Sequence, residues 1–143
     1  MSAPTPIGKF RDRMNMFLNR LDSWATSEQA KELEKFRIKY DAGMKINPRD
    51  TVALFISSIE PYTIQIMEGD EAFFIETEFD VDPEYTVLCT QLRNWWPGLD
   101  EDTRRYVKDQ FKLLLMLGAI ALKHEPIREV INMYRDPNNP LIY

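Results

Sequence analysis

The chain has 143 residues, a formal net charge of −5 at pH 7, and 44% hydrophobic and 29% charged residues, a composition that excludes a disordered chain. Its longest apolar run, residues 113–122, is too short to span a bilayer, and its first ten residues lack the apolar region of a secretory signal. A single cysteine excludes an intrachain disulfide, so we expect an intracellular protein that is neither secreted nor bound to a membrane.

The N-terminal third is predicted to hold a short tail and two helices. Residues 1–7 contain two prolines and are predicted to be flexible. From Gly8 onward, apolar residues follow a helical period, and the stripe is Phe10, Met14, Phe17, Leu18, Leu21 and Trp24. Thr26 and Gln29 form the pattern of a capping box, which predicts a second helix that ends at Gly43. Its expected buried residues are Ala30, Leu33, Phe36 or the stem of Arg37, and Tyr40.

Two Asx-Pro pairs predict the next helix starts. Asn47 is an N-cap followed by Pro48 at the first helical position, and Asp82 is followed in the same way by Pro83. The expected inward residues of the first of these helices are Val52, Phe55, Ile56 and Ile59. Those of the second are Tyr85, Leu88, Leu92 and Trp95 or Trp96.

The longest helix is predicted to follow a break at Pro97 and Gly98, with Asp100 as its cap. Its inward residues are expected to be Tyr106, Val107, Gln110 or Phe111, Leu114, Leu117 and Ala121. A short helix from Pro126 to Tyr134 and a turn-rich tail over residues 135–143 complete the chain. The sequence therefore predicts an all-α, single-domain bundle of six or seven helices over residues 8–134.

Residues 60–80 fit two structures. Alternation on either side of Gly69-Asp70 is typical of a β-hairpin near residues 62–79. A helical stripe is the alternative, and its members are Ile59, Tyr62, Ile66 and Phe73. The helical surroundings favour the second interpretation.

Two stretches resemble small helical accessory or virion proteins of large DNA viruses. These proteins carry an Ile-x-Pro-Tyr segment leading to Asp-Glu-x-Phe-Phe, and then Trp-x-x-Leu, an acidic turn and a leucine-rich helix. The matching residues here are Ile59, Pro61, Tyr62, Asp70, Glu71, Phe73, Phe74, Trp96, Leu99, Asp100, Tyr106 and Leu113 to Leu115. The resemblance covers about half of the chain and implies a viral accessory or virion role, and it carries over no activity to this chain.

Catalytic and cofactor motifs are missing from the sequence. It has no Gly-rich phosphate loop, H-E-x-x-H or G-x-S-x-G motif. Cys89 is the only cysteine and His124 the only histidine, and 35 positions separate them. One residue of each type is too few for a thiolate zinc site. We therefore expect a protein that is not an enzyme and needs no cofactor, with Cys89 as a small core residue.

Five carboxylates at alternating positions form what we name the acidic strip: Glu76, Glu78, Asp80, Asp82 and Glu84. On an extended backbone they would share one face. Oxygen ligands in such a row could hold Ca²⁺ or Mg²⁺, but an EF-hand loop starting at Asp80 would place Tyr85 sixth and Gln91 twelfth, where glycine and glutamate belong. A solvated face and a docking surface for a basic partner are the other interpretations.

Charge is divided unevenly along the chain. Residues 1–49 carry a net charge of +4, whereas residues 50–92 contain ten carboxylates and no lysine or arginine. This asymmetry favours the acidic strip as a docking surface for a basic protein or for a second copy of the chain. Phe74, Phe79 and Trp96 are its candidate apolar anchors, although both tryptophans at 95 and 96 could instead pack inward.

Nucleic acid is the alternative partner. Basic residues cluster on the first two predicted helices, and they are Lys9, Arg11, Arg13, Arg20, Lys31, Lys35 and Lys39. Glutamates three positions before several of them neutralise much of this charge, and the acidic net charge opposes a polyanion. We therefore expect at most weak, non-specific binding, and a metal-dependent enzyme built on the acidic strip is the third candidate.

Overall fold

A computed structural model describes residues 5–76 and 83–134, and this part of the chain is all-α and contains no β-strand. Its α-helices are α1 (Pro6–Trp24), α2 (Ser27–Ile46), α3 (Pro48–Ile59), α4 (Thr63–Glu68), α5 (Ala72–Glu76), α6 (Pro83–Trp95), α7 (Glu101–Leu122) and α8 (Glu125–Met133). Two short 3₁₀ turns, Glu60–Tyr62 and Trp96–Gly98, follow α3 and α6. None of the described helices is both long enough and apolar enough to cross a membrane.

Helix α7 is the centre of the bundle. It lies against α1, α3, α4 and α8, while α2 packs on α3 and α6. The ring of Phe111 on α7 is surrounded by the rings of Phe17, Phe55, Phe73 and Phe74, whose centroids lie 5.9, 6.4, 5.7 and 5.2 Å from its own. One aromatic cluster therefore joins three other helices, α1, α3 and α5, to α7. Such ring pairs add stability beyond the area they bury.

Three of the predicted N-caps are confirmed, and the fourth, Asp82, lies outside the described residues. Thr26 and Gln29 form the reciprocal capping box, with hydrogen bonds of 3.3 and 2.9 Å. The Asn47 side chain accepts from the backbone N–H of Asp50, at 3.2 Å. The Asp100 side chain accepts from the backbone N–H of Thr103 at 2.7 Å. Hydrogen bonding from Thr103 lowers the pKa of the Asp100 carboxyl. The apolar stripes predicted for α1 and α3 are also buried, apart from Trp24, which is half-buried.

The predicted end of α2 at Gly43 is wrong, because the helix continues to Ile46. Gly43 faces Thr51 of α3 so closely that a Cβ at this position would overlap the threonine side chain. The glycine therefore permits a close helix contact and does not terminate the helix. At the N-terminus, α1 begins at Pro6, and Thr5 caps it by accepting from the Gly8 N–H at 3.0 Å.

The alternative hairpin is wrong for its described part, residues 62–76, while residues 77–79 lie outside the description. Gly69 has a φ of 67° and ends α4 as a left-handed C-cap, with its N–H directed at the carbonyls of Gln65 and Ile66. Such a conformation suits glycine and stops a helix. The Asp70 side chain then accepts from the Ala72 N–H at 2.9 Å and turns the chain into α5.

Candidate interaction surface

The ten carboxylates of residues 50–92 divide into two groups of five. The first group ends at Glu71, and each of its members has a partner inside the molecule. The second group is the acidic strip. The structure describes the side-chain interactions of the first group.

Glu71 is held by the basic face of α7. The Nζ atom of Lys108 lies 3.2 Å from one carboxylate oxygen of Glu71, and an Nη atom of Arg104 lies 3.9 Å from the other. The hydrogen bond from Lys108 is the main cause that lowers the pKa of Glu71. The charge of Arg104 acts in the same direction, whereas desolvation by burial acts against it. Part of the acidic segment is therefore neutralised by a helix that follows it in the chain.

Glu60 and Glu68 contact the C-terminal part of the described chain. An oxygen of Glu60 lies 2.9 Å from Nε2 of His124, which precedes α8. The hydroxyl of Tyr134 donates to Glu68 at 2.8 Å, and this bond raises the pKa of the tyrosine. Both carboxylates thus connect the region around α4 to the two ends of α8.

The remaining two carboxylates of the first group act locally. Asp50 accepts from the side-chain amide of Asn47 at 2.7 Å, next to the start of α3. Asp70 holds the turn between α4 and α5 through Ala72. Each carboxylate from Asp50 to Glu71 therefore has a hydrogen-bond or ion-pair partner inside the molecule, while Asp50, Glu68 and Asp70 remain exposed.

The side chains of the acidic strip lie outside the described part of the structure. Glu76 is the last residue of α5 and Glu84 lies in the first turn of α6. The other strip residues, Glu78, Asp80 and Asp82, and the candidate anchor Phe79 fall outside the described residues. Both flanks are fixed to the core, since Phe74 before the strip and Leu88 after it are 5% and 0% exposed.

Two of the predicted anchors are corrected by the structure. Phe74 is 5% exposed and Trp96 is 1% exposed, so neither ring is available to a partner. Trp95 is also buried, because the α-helix ends at this residue and Trp96 begins a 3₁₀ turn that packs inward. Ile75 offers an alternative that the sequence analysis missed, because 45% of it is exposed immediately before the strip.

Arg104 organises this corner of the molecule and was also missed from the sequence. Its Nε and one Nη atom donate to the Trp96 carbonyl at 3.1 and 2.9 Å. Its guanidinium lies 5.6 Å from the centre of the Trp96 ring, and it approaches Glu71 on the other side. Nothing in the sequence pattern singles out this arginine, because its partners lie on other segments.

The basic residues of the first two helices are partly paired. Lys35 contacts Glu32 at 3.1 Å, as the three-residue spacing suggests. Arg37 instead reaches Asp22 of α1 at 2.9 Å, so the expected neutralisation by a glutamate three residues earlier is replaced by a contact between helices. The guanidinium of Arg20 lies over the rings of Trp24 and Tyr106.

The described part of the chain contains no cluster of three His, Cys, Asp or Glu side chains that could hold a metal ion. His124 uses both ring nitrogens structurally: Nδ1 accepts from the Ile127 N–H at 3.2 Å, and Nε2 faces Glu60. No protein-family model, curated protein or solved structure shows significant similarity to the chain.

Proposed function

We propose that the chain is a non-enzymatic assembly protein that binds a basic protein surface through the acidic strip. The observation that carries this proposal is the density of charge in the strip, where five carboxylates follow one another from Glu76 to Glu84 without a single lysine or arginine. The carboxylates that precede them, from Asp50 to Glu71, have hydrogen-bond or ion-pair partners inside the molecule.

The rigid flanks support the same function. The strip leaves α5 next to the buried ring of Phe74 and enters α6 before the buried Leu88. A short acidic segment attached to a packed core at both ends loses less conformational freedom on binding than a free tail. Charge sets the rate and orientation of such an encounter, and apolar contacts supply most of the affinity. After the correction of Phe74 and Trp96, the anchors are Phe79 and Ile75.

The test reverses three strip charges together, Glu76→Lys, Glu78→Lys and Asp80→Lys. A matched control reverses three exposed carboxylates elsewhere, Glu34→Lys, Asp41→Lys and Glu129→Lys, which changes the net charge by the same amount. Circular dichroism establishes that both variants fold. Association is then measured by light scattering and by binding to a cationic test protein, at low and moderate salt.

We expect the strip variant to lose association and the control variant to keep it. The difference should shrink as salt is raised, because exposed charges are screened over about 10 Å at 0.1 M ionic strength. A folded strip variant that associates like the parent protein would show that the strip is only a solvated face.

A further inference from the structure

A second surface of the molecule has the opposite character to the acidic strip. A groove of about 520 Å³ lies where the start of α1, the junction of α2 and α3, and the end of α7 meet. We name it the basic groove. Its apolar wall consists of Ile7, Met44, Pro48 and Ile120, and its cationic rim consists of Arg11 and Lys123.

The charge at the basic groove is positive. No carboxylate is among the described residues that line it, and the Arg11 and Lys123 side chains are exposed, although Asp12 lies 3.7 Å from the Nε atom of Arg11. Arg49 adds a third cation at the same corner, because its guanidinium contacts the carbonyls of Ala121 and Leu122 at 3.4 and 3.5 Å. An acidic ligand is therefore favoured here over a basic one.

The wall of the groove defines the kind of acidic ligand. The volume of the basic groove falls within the range of about 300–1,000 Å³ that binding clefts have, and the residues that line the groove are mainly apolar. A small hydrated anion would leave these apolar side chains uncovered. The chemistry instead fits a peptide segment with a large apolar side chain between carboxylates.

The acidic strip has this composition. Phe79 stands between Glu78 and Asp80, with a further carboxylate two positions beyond on each side of the pair. We propose that the basic groove of one molecule binds the acidic strip of a second copy of the chain. The inference rests on the proposed function and names its partner.

The described helix that leads into the strip and the basic groove contact α7 at different points along its length. Helix α5, which leads into the strip, packs through Phe74 on Phe111 of α7. Ile120 in the groove is nine residues farther along α7, which corresponds to about 14 Å of helix. Because the two surfaces differ, the contact is head-to-tail and repeats from one molecule to the next, which gives rings or linear chains.

The experiment uses complete chains in a charge exchange. One variant reverses the groove, Arg11→Glu with Lys123→Glu, and the other reverses the strip, Glu76→Lys, Glu78→Lys and Asp80→Lys. Arg105→Glu, on the N-terminal half of α7, is the control for a reversed exposed cation. Light scattering during size-exclusion chromatography is measured over a concentration series at low salt.

We expect the parent protein and the Arg105→Glu variant to self-associate, and each reversed variant alone to associate at least about tenfold more weakly. Mixing the two reversed variants should restore association, because a basic strip then meets an acidic groove. Phe79→Ala should weaken self-association by about tenfold without a change in net charge.

The outcomes separate this inference from the proposed function. A strip reversal that abolishes binding to a cationic test protein, together with a groove reversal that leaves self-association unchanged, overturns the inference and leaves the proposed function standing. A monomeric parent protein at every concentration also overturns it. A strip reversal that changes neither self-association nor binding to the test protein refutes both.

Discussion

The ring of Phe74 lies parallel to the indole of Trp96, with 4.5 Å between the ring centroids and 1° between the planes. Phe74 belongs to α5 and Trp96 to the 3₁₀ turn after α6, so the pair joins the two segments that flank the acidic strip. Phe111 of α7 closes the contact from the side. This pair holds the base of the proposed docking surface and does not itself dock.

We expect Phe74→Ala to lower the free energy of unfolding by about 3–5 kcal/mol, since it removes a buried ring and leaves a cavity. Urea denaturation followed by circular dichroism measures the change. The adjacent substitution Ile75→Ala is the control and should cost no more than about 0.5 kcal/mol, because Ile75 is 45% exposed. Equal losses for the two variants would contradict the assignment of Phe74 to the core.

The features that the sequence predicts correctly depend on residues that are close together along the chain. The caps at Thr26, Asn47 and Asp100 were predictable because a cap depends on residues three positions apart. The period of the apolar residues likewise predicted the buried faces of α1 and α3. These features gave the all-α class without any knowledge of the packing.

Features that depend on packing were not predictable. Gly43 has the appearance of a helix end, but its role is set by Thr51 on the next helix. The sequence left two interpretations of the adjacent tryptophans open, and both are buried because the helix type changes between Trp95 and Trp96. The position of Arg104 against Trp96 depends on how α7 packs. Of the three predicted apolar anchors, Phe74 and Trp96 are therefore wrong, and Phe79 lies outside the described residues.

Gly118 provides a test of the contact between α7 and α3. A Cβ at this position would overlap the side chain of Ile56, so we expect Gly118→Ala to destabilise the protein by about 1–3 kcal/mol. The intrinsic helix preference for alanine acts in the opposite direction by about 1 kcal/mol. Thermal unfolding with Gly98→Ala as the control separates the effects, because a Cβ at Gly98 has no neighbour within 4 Å.

A double substitution identifies the cause of that destabilisation. If the overlap with Ile56 is responsible, Gly118→Ala should cost less when Ile56 is already alanine. The two changes will then be non-additive, as expected for residues in contact. Additive costs would place the strain elsewhere.

The lowered pKa of Glu71 predicts that its contribution to the stability of the fold depends on pH. Its pKa in the folded protein is lowered from 4.5, chiefly by Lys108, so its contribution to stability is fully present above the unfolded pKa. That contribution is lost as the pH falls through the folded pKa. We expect Glu71→Gln to destabilise the protein by at most about 1 kcal/mol at pH 7, because the pair is partly exposed.

The measurement is urea unfolding of the parent protein and Glu71→Gln between pH 7 and pH 3. The difference between the free energies of unfolding of the two proteins should be constant in the upper part of this range and should decrease below pH 4.5. Glu34→Gln, at an exposed position of α2, should give no such decrease. A difference that is independent of pH would show that Glu71 contributes by packing and not by its charge.

His124 is predicted to be a structural residue with a fixed tautomer. Nδ1 accepts from the backbone N–H of Ile127, so this nitrogen carries no proton, and the proton lies on Nε2 facing Glu60. Nitrogen-15 NMR of the neutral ring should therefore report the Nε2–H tautomer.

His124→Ala should cost about 0.5–2 kcal/mol because the start of α8 loses its cap. His124→Asn should recover most of that loss, because asparagine is a preferred N-cap and restores a side-chain acceptor for Ile127. Glu60→Gln keeps the acceptor for Nε2–H and should cost less than His124→Ala. An Nδ1–H tautomer, or equal losses for the alanine and asparagine variants, would show that His124 does not cap α8.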